Sequence, residues 1–149
     1  MSFEDLPPNW PSMSLRNPDL AADVVDLVVS HRDRLSNSLS LLLCDHLGCM
    51  IQPVTINGMK WGCTDPERQR PFDMLGPLMD EEQFAEISGV VVAIAHRQPR
   101  VRMSDHEWAR TARSRLDRLG LDLFGCFVAH SRGVLMIPDG LETRRADAS

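Results

Sequence analysis

The chain has 149 residues, 43% of them hydrophobic and 25% charged, which fits one domain with a core of its own. Its net charge of −5 argues against a general nucleic-acid binder. No run approaches the roughly 20 apolar residues of a membrane span, and the acidic, proline-rich MSFEDLPPNWPSM lacks the regions of a signal peptide, so a cytoplasmic setting is expected. One lysine stands against fifteen arginines, a bias that suits a GC-rich bacterial genome and says nothing about mechanism.

Residues 1–16, with Pro7, Pro8 and Pro11 around Trp10, predict an extended arm whose indole docks on the domain. Asn17-Pro18-Asp19 opens a helix with a capping residue, a proline at the first helical position and an acid in the first turn. Leu20, Val24, Leu27, Val28, His31 and Leu35 follow at helical spacing. That periodicity makes His31 a core histidine and carries the helix to about residues 34–37. Runs 39–44 and 49–56 flank Asp45-His46-Leu47-Gly48 as a hairpin, and Asn57-Gly58 turns the chain.

Residues 57–71 read as loop, with Trp61 as an anchor. A helical stretch follows, interrupted at Gly76-Pro77, resumed from Asp80 with Phe84 and Ile87 inward, and stopped at Ser88-Gly89. Run 90–95 is continuously apolar, as expected of a strand covered on both faces. A helix from Ser104 carries Trp108, Ala112, Leu116 and Leu119 as its apolar stripe, and Gly120 ends it. Runs 121–129 and 134–137 form a last hairpin about Ser131-Arg132-Gly133, before a polar tail at 141–149. The expected domain, 17–140, is an α/β (α+β) fold in the order α-β-β-α-β-α-β-β, a mixed sheet with helices on both faces.

Cys44, Cys49, Cys63 and Cys126 contain no C-x2-C pair, so zinc-finger templates fail. Cys44-Asp45-His46-x2-Cys49 could offer ligands from one turn, but Cys44 and Cys126 read more simply as small strand hydrophobes. A Cys44–Cys49 disulfide is disfavoured in a cytosolic setting. Cys63, beside Gly62, is the candidate for an exposed thiol. No phosphate-binding or nucleophile-elbow motif occurs.

After the 90–95 run, His96, Ser104 and Glu107 stand at H-x7-S-x2-E. This resembles the H-x-H-x7-S-x2-D core of the JAB/MPN (JAMM) metal hydrolases, as found in RadC-like proteins. In that family two histidines and an aspartate hold zinc, an upstream glutamate is the base, and the serine helps stabilise the oxyanion. By resemblance His96 matches the second histidine, Ser104 the serine and Glu107 the acid. Ile94 occupies the first histidine's position, the base falls on Asn37, and Arg97 replaces the usual proline, with Pro99 two residues later.

The resemblance therefore implies a JAB/MPN-like fold with no catalytic residues and no cofactor. Its alternative is a zinc hydrolase rebuilt on His96 and Glu107, with Ser104 as oxyanion helper. A site on His96, His106 and Glu107 is awkward, since adjacent helical residues point about 100° apart. Ser104-x-x-Glu107 is also a capping box, which accounts for both residues without metal. The element order also resembles the cytidine-deaminase-like sandwich, whose H-x-E and P-C-x-x-C are absent here.

Arginines 97, 100, 102, 110, 113, 115 and 118 outnumber Asp105, Glu107 and Asp117. Degenerate members of the resembled family act as scaffolds or dimerisation partners, so the resemblance implies a protein partner or a homodimer. The expected surface is Arg97, Arg100, Val101, Arg102 and Met103, with Arg110 and Arg113 on the following helix. A nucleic-acid accessory role for the 97–118 strip is the weaker alternative.

Overall fold

The computed structural model describes residues 3–138, so the expected tail at 141–149 lies outside the described residues. Strands β1 (Ser38–Cys44), β2 (Met50–Ile56), β3 (Gly89–Ala95), β4 (Asp122–His130) and β5 (Gly133–Met136) form one sheet in the order β2-β1-β3-β4-β5. β3 pairs antiparallel with β1 and parallel with β4, and the two hairpins close the edges. A parallel pair needs a crossover, and α5 (Met103–Arg118) supplies it.

Every residue of β1 and β3 is buried, because helices cover both faces. Successive side chains alternate between faces. Leu39, Leu41, Leu43, Val90, Val92 and Ile94 pack toward Phe72, Trp108, Ala112 and Leu116. Leu42, Val91, Ala93, Ala95 and Ala129 meet Ala21, Val24 and Val25 of α1 (Pro18–Val28) on the other side. Leu119 is partly buried and Gly120, at φ +75°, ends α5 as expected. Ser38 and Ser40, fully buried in β1, bond Asn57 Oδ1 at 2.5 Å and Thr55 Oγ1 at 3.0 Å. Among the described residues no helix is long and apolar enough to cross a membrane.

Four local expectations need correction. The first helix stops at Val28 and a second, α2 (His31–Leu35), begins after Ser30. Ser30 Oγ accepts the Asp33 N–H at 3.1 Å while Asp33 accepts the Ser30 N–H at 3.3 Å, a capping box that outweighs the continuing periodicity. His31 is consequently exposed, not a core histidine, and Leu27 and Leu35 are each 42% exposed. The 57–71 loop holds the start of α3 (Asp65–Asp73), capped reciprocally by Thr64 and Glu67. α4 (Leu75–Met79) runs through Gly76-Pro77, and beyond Asp80 there is only the short turn Glu82–Phe84, although Phe84 and Ile87 are buried as expected.

The arm is not fully extended either. It makes two short turns, half-buries Trp10 and inserts Leu15 completely. Across the sheet, a Cβ added to Gly89 would lie 2.3 Å from Phe124 Cζ, and that ring carries the Arg16 guanidinium 4.6 Å from its centroid. Gly89→Ala is expected to cost about 1–3 kcal/mol by overpacking, and adding Phe124→Leu should restore most of it. Urea midpoints of the two single variants and the double variant check this coupling.

Candidate functional site

His96 follows β3 directly, and its N–H donates to the Ala129 carbonyl at 3.1 Å. Since β3 and β4 run parallel, His96 and His130 leave the carboxyl ends of neighbouring strands, the edge where α/β sheets commonly place ligands. By alternation both continue the rows of Ile94 and Val128, on the α5 side.

α5 brings the third group. Arg102 caps the helix, and Asp105 in its first turn reaches back to accept the Arg102 N–H at 2.8 Å. The same oxygen meets His96 Nε2 at 3.0 Å. The Arg102 guanidinium completes the set, with Nε 3.4 Å from Oδ2 and Nη2 3.3 Å from Oδ1. His96 is 1% exposed and Asp105 is 0% exposed. Burial raises the Asp105 pKa, but the hydrogen bonds from His96 and from Arg102's backbone and side chain outweigh it, so the carboxyl sits below its usual range. An ionised carboxylate only accepts, so His96 Nε2 carries the proton. His96 Nδ1 is buried with no hydrogen-bond partner.

His130 closes the edge. Burial, and then the charges of Arg34, His96 and Arg132, lower its pKa. Its Nδ1 accepts the Arg132 N–H at 3.0 Å, and its carbonyl accepts Arg34 Nη1 at 3.1 Å. Arg34 is itself buried, paired with Asp26 at 3.0 Å and donating to the Val29 and Asp26 carbonyls.

The expected motif is thus only partly assembled. The acid on His96 is Asp105, not Glu107, and Ser104 and Glu107 are half-exposed residues inside the first turns of α5. Ser104 does not cap that helix, because Arg102 holds the capping position. Ile94 is fully buried core, and Asn37 is an exposed turn residue at φ +54° whose carbonyl accepts the Met59 N–H at 2.8 Å. His106 is half-buried. Asp45 Oδ1 accepts the Leu47 and Cys49 N–H groups, which commits it to the hairpin turn. The Cys44 thiol is pushed up to about 12 by burial, and none of the four cysteines forms a disulfide.

These donors do not fit the zinc site of the resembled family. One histidine position is apolar, and the available carboxylate is spent on His96 and Arg102. Among the described residues no three His, Cys, Asp or Glu side chains converge on a metal position. Of the expected partner surface, Arg97, Arg100, Arg110 and Met103 are exposed, Met103 at 74%. Val101 packs on the core, Arg102 is tied to Asp105, and Arg113 is half-buried. Arg115 holds Asp73 at 2.7 and 2.9 Å, so it does not belong to a free basic strip.

Sequence reasoning missed Asp105, His130 and Arg34. Asp105 had a signal, an acid three residues after a capping position, but Glu107 offered the same pattern from Ser104. A buried arginine such as Arg34 has no periodic signature at all. Set against protein-family models and against curated proteins, the chain matches none.

Asp105→Ala is expected to cost about 3–5 kcal/mol, because it leaves buried donors without their acceptor. The pH dependence should have two stages. His130, lowered in the fold, contributes stability that is complete above about pH 6.5 and is lost as the pH falls through its folded value. Asp105's contribution is complete above about pH 4 and is lost as the pH falls through its depressed folded value. Urea midpoints between pH 3 and pH 8 should show both stages in the native chain and only the acidic one in His130→Gln.

Proposed function

We propose that this chain is a metal-free JAB/MPN-like domain that acts by binding a protein partner through the 97–103 loop and the start of α5. The observation that carries the reading is the direct His96–Asp105 bond at 3.0 Å. His96 matches a metal ligand of the resembled family, and Asp105 comes from the next helix's first turn, two residues before the position matched to the family's acid. Here they satisfy each other, and a guanidinium supplies the carboxylate's countercharge.

With Ile94 at the first histidine's position, the motif is one histidine short. The cytidine-deaminase-like alternative for the fold is equally without its metal-binding residues, and it leads to the same non-catalytic reading.

The binding surface follows from the same triangle. His96 and Arg102 both bond Asp105, so the two ends of the loop are fixed while Arg97, Gln98, Pro99 and Arg100 face solvent. A largely exposed methionine beside exposed arginines is a common composition for a protein interface. The nucleic-acid reading is weaker, since Arg102 and Arg115 already hold carboxylates.

Protein purified without a tag or chelator should carry zinc at background, equal in the native chain and in His96→Ala. Crosslinking in cells should recover a defined partner, lost in an Arg97→Glu, Arg100→Glu, Met103→Asp variant that melts like the native chain. Near-stoichiometric zinc that disappears with His96 would overturn the reading in favour of the hydrolase.

A further inference from the structure

A cleft of about 680 Å³ opens at the amino end of β4, the end of the strand opposite His130. Its volume lies within the roughly 300–1,000 Å³ of small-molecule sites. The lining comes from Arg16 of the arm, from Arg113 and Asp117 on α5, and from residues 121–124. Leu123 belongs to the α5 side of the sheet and Phe124 to the α1 side, so the cleft wraps the sheet edge. That edge is open because β5 pairs only with Phe127–His130, and among the described residues no strand lies outside the start of β4.

Phe124 organises the cleft. Leu123 and Gly125 pair with successive residues of β3, Val90 and Val91, which makes Phe124 the extra residue of a β-bulge. Bulges re-aim a side chain and recur beside active sites. Arg16 stacks its guanidinium on the ring, 4.6 Å from the centroid. The fully buried Leu15 fixes Arg16 in place, and its N–H donates to the Gly48 carbonyl at 2.8 Å. Among the described residues the guanidinium donates one hydrogen bond, from Nη2 to the His46 carbonyl at 3.3 Å, a small part of its capacity. The Asp122 carboxylate stands 4.0 Å from Nη2, with the two side chains 45% and 71% exposed, too loose for a committed pair.

Charge decides the class of ligand. The lining holds two arginines and two aspartates, so its formal charge is zero. A ligand of either single sign places a like charge beside itself, whereas a zwitterion meets both. In an α-amino acid the carboxylate and the ammonium share one carbon, which suits the short gap between Arg16 and Asp122. Leu123 and Phe124, both half-buried, give an apolar wall.

We propose that this cleft binds a free α-amino acid with a large apolar side chain. Arg16 takes the carboxylate, Asp122 the ammonium, and the side chain lies along Leu123 and Phe124. The site is at the other end of the sheet from the 97–103 loop, and it stands or falls separately from the partner-binding reading.

Amide shifts of the isotope-labelled full chain locate and quantify binding. The probes are L-phenylalanine, 3-phenylpropanoate without the ammonium, 2-phenylethylamine without the carboxylate, and glycine without the side chain. L-phenylalanine is expected to saturate, with its largest shifts at Arg16 and residues 121–124. The other three should bind about tenfold more weakly or worse. Asp122→Asn should weaken L-phenylalanine about tenfold and leave 3-phenylpropanoate unchanged, whereas Arg16→Gln should weaken both.

If Arg16→Gln disturbs the arm, the exposed Asp122 carries the test. The proposal is overturned if no probe saturates, if the shifts centre elsewhere, if a singly charged analogue equals L-phenylalanine, or if Asp122→Asn leaves binding unaltered.

Discussion

The structure depends on burying β3 along its whole length. Seven consecutive residues, Gly89–Ala95, are shielded on both faces and paired on both edges. A strand so placed exposes no backbone group to water, so each needs a partner from a neighbouring strand. β1 and β4 supply those partners. The need to cover two apolar faces then requires α1 on one side and α3 with α5 on the other. The α1 face combines small residues, Ala93, Ala95, Ala129 and Ala21, with Leu42, Val91 and Phe127. The opposite face is filled by Phe72, Trp61 and Trp108.

The chemistry at the strand ends follows from this packing. A residue leaving β3 beside the parallel β4 finds partners for its polar atoms only within the fold, since water does not reach it. Asp105 meets one nitrogen of His96 and fastens the start of α5 in the same contact. One carboxylate thereby sets the entry of the crossover helix and fixes both ends of the connecting loop.

Much of the sheet was legible in the sequence. The runs that became β1, β2, β3 and β4 stand out because buried strands are apolar and their turns carry Asp45, Gly48 and Ser131 to Gly133. The stripe of α5 was legible for the same reason. The features that escaped were decided by polar contacts rather than by periodicity. α3 reads DPERQRPFD, a sequence without an apolar stripe that is held by its caps and by three buried residues. The break after Val29 was hidden because Val28, His31 and Leu35 keep helical spacing across it. At the site, His96 was legible as a strand-end residue, but the carboxylate that bonds it, Asp105, stands two positions before the acid that the motif pattern marks. Ser104-x-x-Glu107 has both residues of a capping box, whereas Arg102 offers no side-chain acceptor and only Asp105 bonds back, so the sequence favours the later start.

Arg34 ties together parts of the chain that lie far apart in sequence. Its guanidinium takes the last carbonyls of α1 and the carbonyl at the end of β4, so one side chain finishes a helix and pins a hairpin from the far end of the sequence. The reach of that side chain is set by the few residues between Val29 and Arg34. Each residue added to a helix rotates the side chains beyond it by about 100° around the axis. A single-codon insertion within α2 would swing the guanidinium out of the fold and strand three carbonyls at once, although α2 is short and largely exposed. Length along this stretch is therefore under tighter constraint than residue identity, and natural variation there should appear as substitutions without gaps.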